Sequence, residues 1–178
     1  NAKIVSPSYI VCAGRIVRAV AHALRGGEGR RYLDTPSLLG PTLKDEYPEV
    51  VEFCRMQCGW TNYWLHYEDK NFIEHRLCTA DPSFFKIFKF PFIYGDPETA
   101  LDDRYSVVLT ETLARKCFGD INPIGKVMKL NEEDMTVTGV IEDIPPNSHL
   151  QFDYCFPAEN MTKFRSSKLD TWTYAQFA

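Results

Sequence analysis

Several absences narrow the function of this sequence before any residue is given a role. It holds no GxxxxGK[ST] phosphate loop, no HExxH, no GxSxG and no CxxC. The first excludes an ATPase built on a glycine-rich phosphate cradle, and Gly26-Gly27-Glu28-Gly29 reads only as a turn. The second and third leave no zinc-peptidase helix and no nucleophile elbow, and the fourth leaves no thioredoxin-type redox pair. No stretch approaches the roughly 18–20 apolar residues that cross a bilayer, and the first residues lack the apolar core of a signal peptide. Positive charge is not in excess either: 20 Lys and Arg stand against 24 Asp and Glu, for a net charge of −4 and a pI near 5.6. A nucleic-acid binder concentrates basic residues and usually has a pI above about 9, so nucleic acid is not an expected partner.

What is present is a globular composition. The 178 residues are 44% hydrophobic and 13% aromatic, enough for one good core or two small lobes. Charge is uneven along the chain. Residues 1–31 carry six Lys or Arg and one Glu, whereas residues 91–178 carry eight against fourteen acidic residues. A basic start of this kind suits a position beside a membrane surface. The abrupt beginning at Asn1-Ala2 and the end just after Trp172-Thr173-Tyr174 read as a piece excised from a larger protein.

Local patterns place the elements. Residues 14–24 read as a strand followed by a flexible loop. In DTPSLLGPTLKDEYPEV, Thr35 is an N-cap candidate, Pro36 takes the first helical position, and Leu38, Leu39 and Leu43 have helical spacing, with a kink expected at Pro41 and a stop at Tyr47-Pro48. VVEFCRMQC, residues 50–58, then gives a strand and completes a β-α-β unit. YWLHY and FIEHRLC form a hairpin around Glu68-Asp69, and DPSFFKIF starts a short aromatic helix capped at Asp81. SVVLTETLARKCFG predicts a strand, then a helix with Thr110 as cap, Glu111 in the first turn and Gly119 as stop. KVMKL and MTVTGVIEDI form a second hairpin with Met128, Leu130, Met135, Val137 and Ile141 on its inner face.

The chemistry-bearing residues read mostly as structure. Six cysteines are present: Cys12, Cys54, Cys58, Cys78, Cys117 and Cys155. Cys54 and Cys58 invite a metal or redox role, but in a strand residues i and i+4 lie about 13 Å apart, beyond the roughly 7 Å that a disulfide allows. They are expected to be buried filler, and the six to be largely unpaired. His66 and His75 flank the hairpin turn with Glu74 nearby, a metal arrangement that a one-residue register change would break. Glu142, Asp143 and His149 bracket Pro145-Pro146 and, lacking a nucleophile, are expected to cap strand ends and turns. The aromatic stretch FFKIFKFPFIY packs into a core or meets a partner, and core packing is the expectation.

DPSFFKIFKFPFIYGDPETAL, SVVLTETLARKCFGDINPIGKVMKLN and MTVTGVIEDIPPNSHLQFDY, with TPSLLGPTLKDEYPEV ahead of them, resemble the MacB-like periplasmic core domain of FtsX-like ABC transporter permeases. The likeness covers most of residues 32–156 and is weak outside them. It implies an α+β fold in two lobes: a β-α-β porter-like lobe from residues 1–58 and 148–178, and an inserted mixed α/β lobe from residues 59–147. It also implies a non-catalytic extracytoplasmic domain on the periplasmic side of the bacterial inner membrane. There it would couple to a cytoplasmic ABC ATPase through transmembrane helices, with a second permease copy and periplasmic proteins as further partners and no cofactor. A ligand-sensing domain with a binding cleft between lobes is the alternative, and a periplasmic hydrolase ranks far below both. No catalytic, cofactor or metal residue is expected. Pro145 and Pro146 are expected as a structural joint returning the chain to the first lobe, so that residues 151–156 pair with residues 15–21 or 50–57.

Overall fold

A computed structural model describes residues 8–12, 15–18, 21–25, 28–32 and 38–160. Its strands are β1 (Ser8–Cys12), β2 (Arg15–Arg18), β3 (Ala21–Arg25), β4 (Glu28–Tyr32), β5 (Val50–Tyr67), β6 (Lys70–Ala80), β7 (Phe92–Gly95), β8 (Ser106–Thr110), β9 (Val127–Leu130), β10 (Glu133–Ile141) and β11 (Tyr154–Pro157). The helices are α1 (Leu39–Glu46), α2 (Phe84–Ile87) and α3 (Glu111–Phe118), followed by a 3₁₀ turn at Ala158–Asn160. The fold is therefore α+β, with far more strand than helix. Thr35, Pro36 and the loop at residues 26–27 lie outside the described residues.

The longest element was expected as two. β-branched and aromatic residues run almost unbroken from Val50 to Tyr67, so β5 continues through Gly59 and pairs with β6 as one long antiparallel hairpin. Glu68 takes a positive φ of 52° at its tip. A bulge interrupts the ladder between Trp60 and Tyr63. Before it the buried series on β5 is Cys54, Met56 and Cys58; beyond it the inward residues are Tyr63, Leu65 and Tyr67. An extra residue in one strand re-aims the side chains beyond it, and here it hands the hairpin from one core to another. Residue 58, the expected end of the first lobe, thus falls within a continuous strand.

Nine strands form one sheet in the order β2-β1-β5-β6-β11-β8-β10-β7, with β9 bridging β10 and β5. β3 and β4 pair separately. The expected β-α-β unit is modified, because β1 lies between β2 and β5 and is antiparallel to both. The pairings β5-β6-β11-β8-β10-β9 close on themselves through Leu65 opposite Leu130 and His66 opposite Lys129. Closure removes exposed edges at that end of the sheet.

Strand alternation produces two cores. On β8, Val107 and Leu109 face one cluster and Val108 the other; on β11, Tyr154 and Phe156 oppose Cys155 in the same way. Both strands are buried throughout, as central strands covered on two sides must be. Phe84, Phe85 and Ile87 of α2 cover one face, with Phe88, Phe90 and Phe92 packed around them and Phe152 5.9 Å from Phe84 between ring centroids. The phenylalanines of the aromatic stretch are thus core, as expected, while Ile93 and Tyr94 at its end are exposed. Leu113, Ala114, Cys117 and Phe118 of α3 cover the other face.

α3 has the expected limits, with Thr110 at the N-cap and Gly119 at the C-cap. α1 starts later than expected, at Leu39, which puts Pro41 in the first turn where its missing N–H costs nothing. The α2 cap is Ser83 and not Asp81, whose carboxylate is used elsewhere. The second hairpin buries Met128, Leu130, Met135 and Val137 together, but Ile141 falls in the opposite core. A register shift between Val137 and Gly139 is the cause, and Val140 takes the inner position. Gly139 is needed there, because an added Cβ would lie 2.7 Å from the Phe92 ring.

Residues 151–156 do not pair as expected. β11 inserts between β6, in parallel, and β8, antiparallel, with Cys155 opposite Cys78 and Val108. It reaches β5 only across β6, and it shares its sheet with β10 as well. The physical reason is that long β5 and β6 already satisfy each other's inner edges, leaving the outer edge of β6 to accept the returning chain.

Leu65 is fully buried at the point where β9 closes the circuit. Replacing it with alanine is expected to cost about 2–5 kcal/mol, read as a lower urea midpoint, with faster amide exchange of β9 than of β8.

Candidate functional site

The two described ends of the sheet lie at one level, beside a buried ion pair. Ser8 of β1 stands opposite Arg55 of β5; Met56 stands opposite Ala80 of β6; and Pro157 of β11 stands beside Ala80. Both described ends of the sheet therefore lie in one row across four neighbouring strands, roughly 14 Å wide at about 4.8 Å per spacing.

Arg55 and Asp81 fix this row. The Arg55 backbone N–H and Nε donate to Asp81 Oδ2 at 2.7 and 2.8 Å, and Nη2 donates to Oδ1 at 2.7 Å. Asp81 is buried, so the pair is a fork-to-fork contact shielded from water. Burial works against the Arg55 charge, yet the hydrogen bond and charge of Asp81 outweigh it and raise the pKa of Arg55. The Asp81 N–H also donates to the Arg55 carbonyl at 2.9 Å. Sequence reasoning gave Asp81 to the helix cap because Asp-Pro is a common cap pattern; nothing local announces a partner 26 residues away.

The Pro145-Pro146 segment lies at the other end of β11. β10 ends at Ile141, four residues before the prolines, so they do not themselves stop the strand. Asp143 caps α3 from outside: Thr112 donates its N–H to Oδ1 at 3.0 Å and its hydroxyl to Oδ2 at 2.5 Å. Asp143 is therefore a cap, though of a helix and not of the strand end or turn that was expected. The Pro145 carbonyl accepts from the Ser148 N–H at 2.9 Å and from Gln151 Nε2 at 2.8 Å. Leu150 and Phe152 are buried. Asp153 then joins two strands: its N–H donates to the Arg76 carbonyl, its carbonyl accepts from the Thr110 N–H, both at 2.8 Å, and its carboxylate takes the Arg76 guanidinium. That hydrogen bond raises the pKa of Arg76. The corner is a strap across the junction of β8 and α3, and it guides β11 into its slot.

The cysteines require a correction. Cys58 and Cys78 form a disulfide across the hairpin, while Cys54, Cys117 and Cys155 are buried thiols; the Cys12 side chain lies outside the described residues. Cys54 and Cys58 are not bonded to each other, as expected from their spacing. The true partner was hidden by the bulge, since the register at the hairpin tip, Tyr67 opposite Lys70, would place Cys58 opposite Thr79. Burial raises the pKa of all three thiols, that of Cys117 to about 11.

The histidines are not brought together. His66 Nδ1 lies 2.8 Å from Asn71 Oδ1, and His75 Nδ1 lies 2.8 Å from Asn62 Oδ1. Among the described residues no group of three or more His, Cys, Asp or Glu could hold a metal. A cleft of about 400 Å³ opens between Tyr63, Phe156 and the β9–β10 turn, with Leu130 and Met135 in its wall and Asn131, Glu132 and Glu133 at its rim.

Removing half of the shielded pair tests the importance of the row. Asp81→Asn is expected to lower stability by about 2–4 kcal/mol, whereas Lys129→Gln, which breaks an exposed pair, is expected to change it by less than about 1 kcal/mol. Urea unfolding of both variants measures the contrast.

Among the described residues no helix is long and apolar enough to cross a membrane. No curated protein matches the sequence. Among solved structures, a domain of a protein described as a permease from Porphyromonas gingivalis is similar over 81% of this chain and 65% of its own, at 28% identity and a TM-score of 0.65. The periplasmic region of MacB from Actinobacillus actinomycetemcomitans shares the fold over 66% of this chain and 52% of its own, at 19% identity and a TM-score of 0.50. The chain thus spans less than two thirds of either. The sequence model of the MacB-like periplasmic core domain matches residues 7–176, nearly the whole chain, and this protein belongs to that family of extracytoplasmic transporter domains.

Proposed function

We propose that this domain couples ATP-driven movement of an ABC transporter permease to events outside the cytoplasm. In this reading it sits on the periplasmic side of the bacterial inner membrane. A cytoplasmic ATPase supplies the energy through transmembrane helices of the full-length protein. A second permease copy and periplasmic proteins are the further partners.

The observation that carries the reading is the row that contains Ser8, Arg55, Ala80 and Pro157. Helices attached before β1 and after β11 would pull on strands that flank the β5–β6 hairpin on both sides. The hairpin extends from Met56 to Tyr67, roughly 36 Å at 3.3 Å per residue, and its far end is tied into the closed circuit. Displacement at the row would therefore move the far end as a body, because bending the circuit would break ladder hydrogen bonds. The Arg55–Asp81 pair keeps the near end of the hairpin from shearing. Pro145 and Pro146 contribute as a joint by holding the strap over α3, so that β11 and α3 move together. The division into lobes at residues 1–58, 59–147 and 148–178 remains part of this proposal, with the hairpin as the shared beam.

A ligand-sensing reading has one observation in its favour, the cleft beside Tyr63 and Phe156. The buried hydroxyl of Tyr154, whose ring lies 6.3 Å from that of Tyr63, has no hydrogen-bond partner among the described residues. A small molecule retained by the purified domain in native mass spectrometry would favour sensing.

Coupling is tested in the full-length permease with its ATPase in nanodiscs. A fluorophore at exposed Asp69, on the hairpin tip, is expected to change its energy transfer to acceptor lipids when nucleotide is trapped; unchanged transfer overturns the coupling role. The isolated domain is expected to give no heat with ATP in calorimetry, and stoichiometric binding at micromolar affinity would contradict a non-catalytic role.

A further inference from the structure

Three cysteines stand in one transverse row of the sheet. Cys58 on β5 is opposite Cys78 on β6, and Cys78 is beside Cys155 on β11. All three belong to the same buried cluster, on the same face as Phe84 and Phe85. Cys58 and Cys78 are joined, and Cys155 is a thiol. The Cα atoms of Cys58 and Cys78 lie 4.0 Å apart, and Cys155 is one strand spacing, about 4.8 Å, from Cys78, inside the roughly 4.4–6.8 Å that a disulfide usually spans. Cys58 and Cys155 are two strands apart, about 9.6 Å, and cannot bond directly. Cys78 is thus the only member with two neighbours in reach. Cys54 shares the cluster but stands four residues along β5, about 13 Å from Cys58.

We propose that Cys155 is a second partner of Cys78, and that the disulfide moves from Cys58–Cys78 to Cys78–Cys155 by thiol–disulfide exchange within the row. The Cys155 thiolate attacks Cys78 Sγ. The Cys58–Cys78 bond breaks, its electron pair goes to Cys58 Sγ, and Cys58 takes up the proton that Cys155 lost. One disulfide and one thiol are present before and after, so no oxidant or reductant is consumed. Burial shields the row from outside thiols, which keeps the exchange internal.

The two states differ in what they tie. Cys58–Cys78 closes only the hairpin, joining positions 20 apart in sequence. Cys78–Cys155 joins positions 77 apart in sequence and fastens β11, the strand on which the described sheet ends, to the hairpin. The exchange chemistry stands whether or not the coupling role is correct.

Burial raises the pKa of Cys155, so only a small fraction is thiolate near neutrality, and that fraction grows about tenfold per pH unit below the pKa. The oxidised chain is incubated at pH 7 and pH 9, quenched with acid, unfolded, alkylated and digested for peptide mass spectrometry. A Cys78–Cys155 linked peptide is expected, forming about 100-fold faster at pH 9 than at pH 7, and absent from Cys155→Ser. Cys58→Ser, refolded in a buffer of glutathione and glutathione disulfide, is expected to bond Cys78 to Cys155 in most molecules. The proposal is overturned if folded Cys58→Ser, judged by circular dichroism, shows both as alkylated thiols. Should that variant not fold, absence of the linked peptide from the wild-type chain after a day at pH 9 overturns it equally.

Discussion

The bulge between Trp60 and Tyr63 is a constraint on which much of this structure depends. Without it, β5 and β6 would be a regular ribbon with one inward face and one outward face along their whole length. With it, the near half buries Cys54, Met56 and Cys58 against α2, and the far half buries Tyr63 and Leu65 against α3 and the β9–β10 hairpin. The same extra residue sets the near register, which places Cys58 opposite Cys78 and Met56 opposite Ala80. A hairpin can then belong to two cores while remaining one element.

The strap formed by residues 142–153 completes the arrangement. β11 has to pass from the far side of β10 to a slot between β6 and β8, and a flexible loop would leave that insertion poorly defined. Proline fixes φ at two successive positions and offers a carbonyl acceptor without needing a donor partner. Asp143 and Asp153 anchor the strap on either side of it, one on the α3 N-terminus and one on Arg76. Its polar residues serve packing and direction.

A disulfide across the hairpin also agrees with the compartment that the family implies, since such bonds persist outside the reducing cytoplasm. The packing around it is apolar, and burial raises the pKa of its neighbour Cys155. The Arg55–Asp81 pair and the cysteine row lie within a few residues of each other on the same two strands. One covalent and one buried ionic constraint thus lie near the described ends of the sheet.

Much of the local structure was legible because it depends on near neighbours. Glu111 and Gly119 mark the ends of α3 through dipole and C-cap preferences that operate within a turn, and Thr110 holds the N-cap position without a side-chain cap bond. Met128, Leu130, Met135 and Val137 declared a hairpin by alternation alone, and the motifs across residues 32–156 declared the family. What the sequence could not declare were relations across distance. Nothing near Asp81 points to Arg55, nothing near Ile141 marks the register shift at Gly139, and no spacing shows that Cys58 meets Cys78, because the tip register alone pairs it with Thr79. Residues 151–156 were expected beside residues 15–21 or 50–57, on the assumption that a returning chain rejoins the lobe it left. Instead β5 was already paired on both edges, by β1 and β6, and backbone hydrogen bonding sent β11 to the open edge of β6. Short-range preference determined which elements form; competition for strand edges, settled only in the assembled sheet, decided where they go.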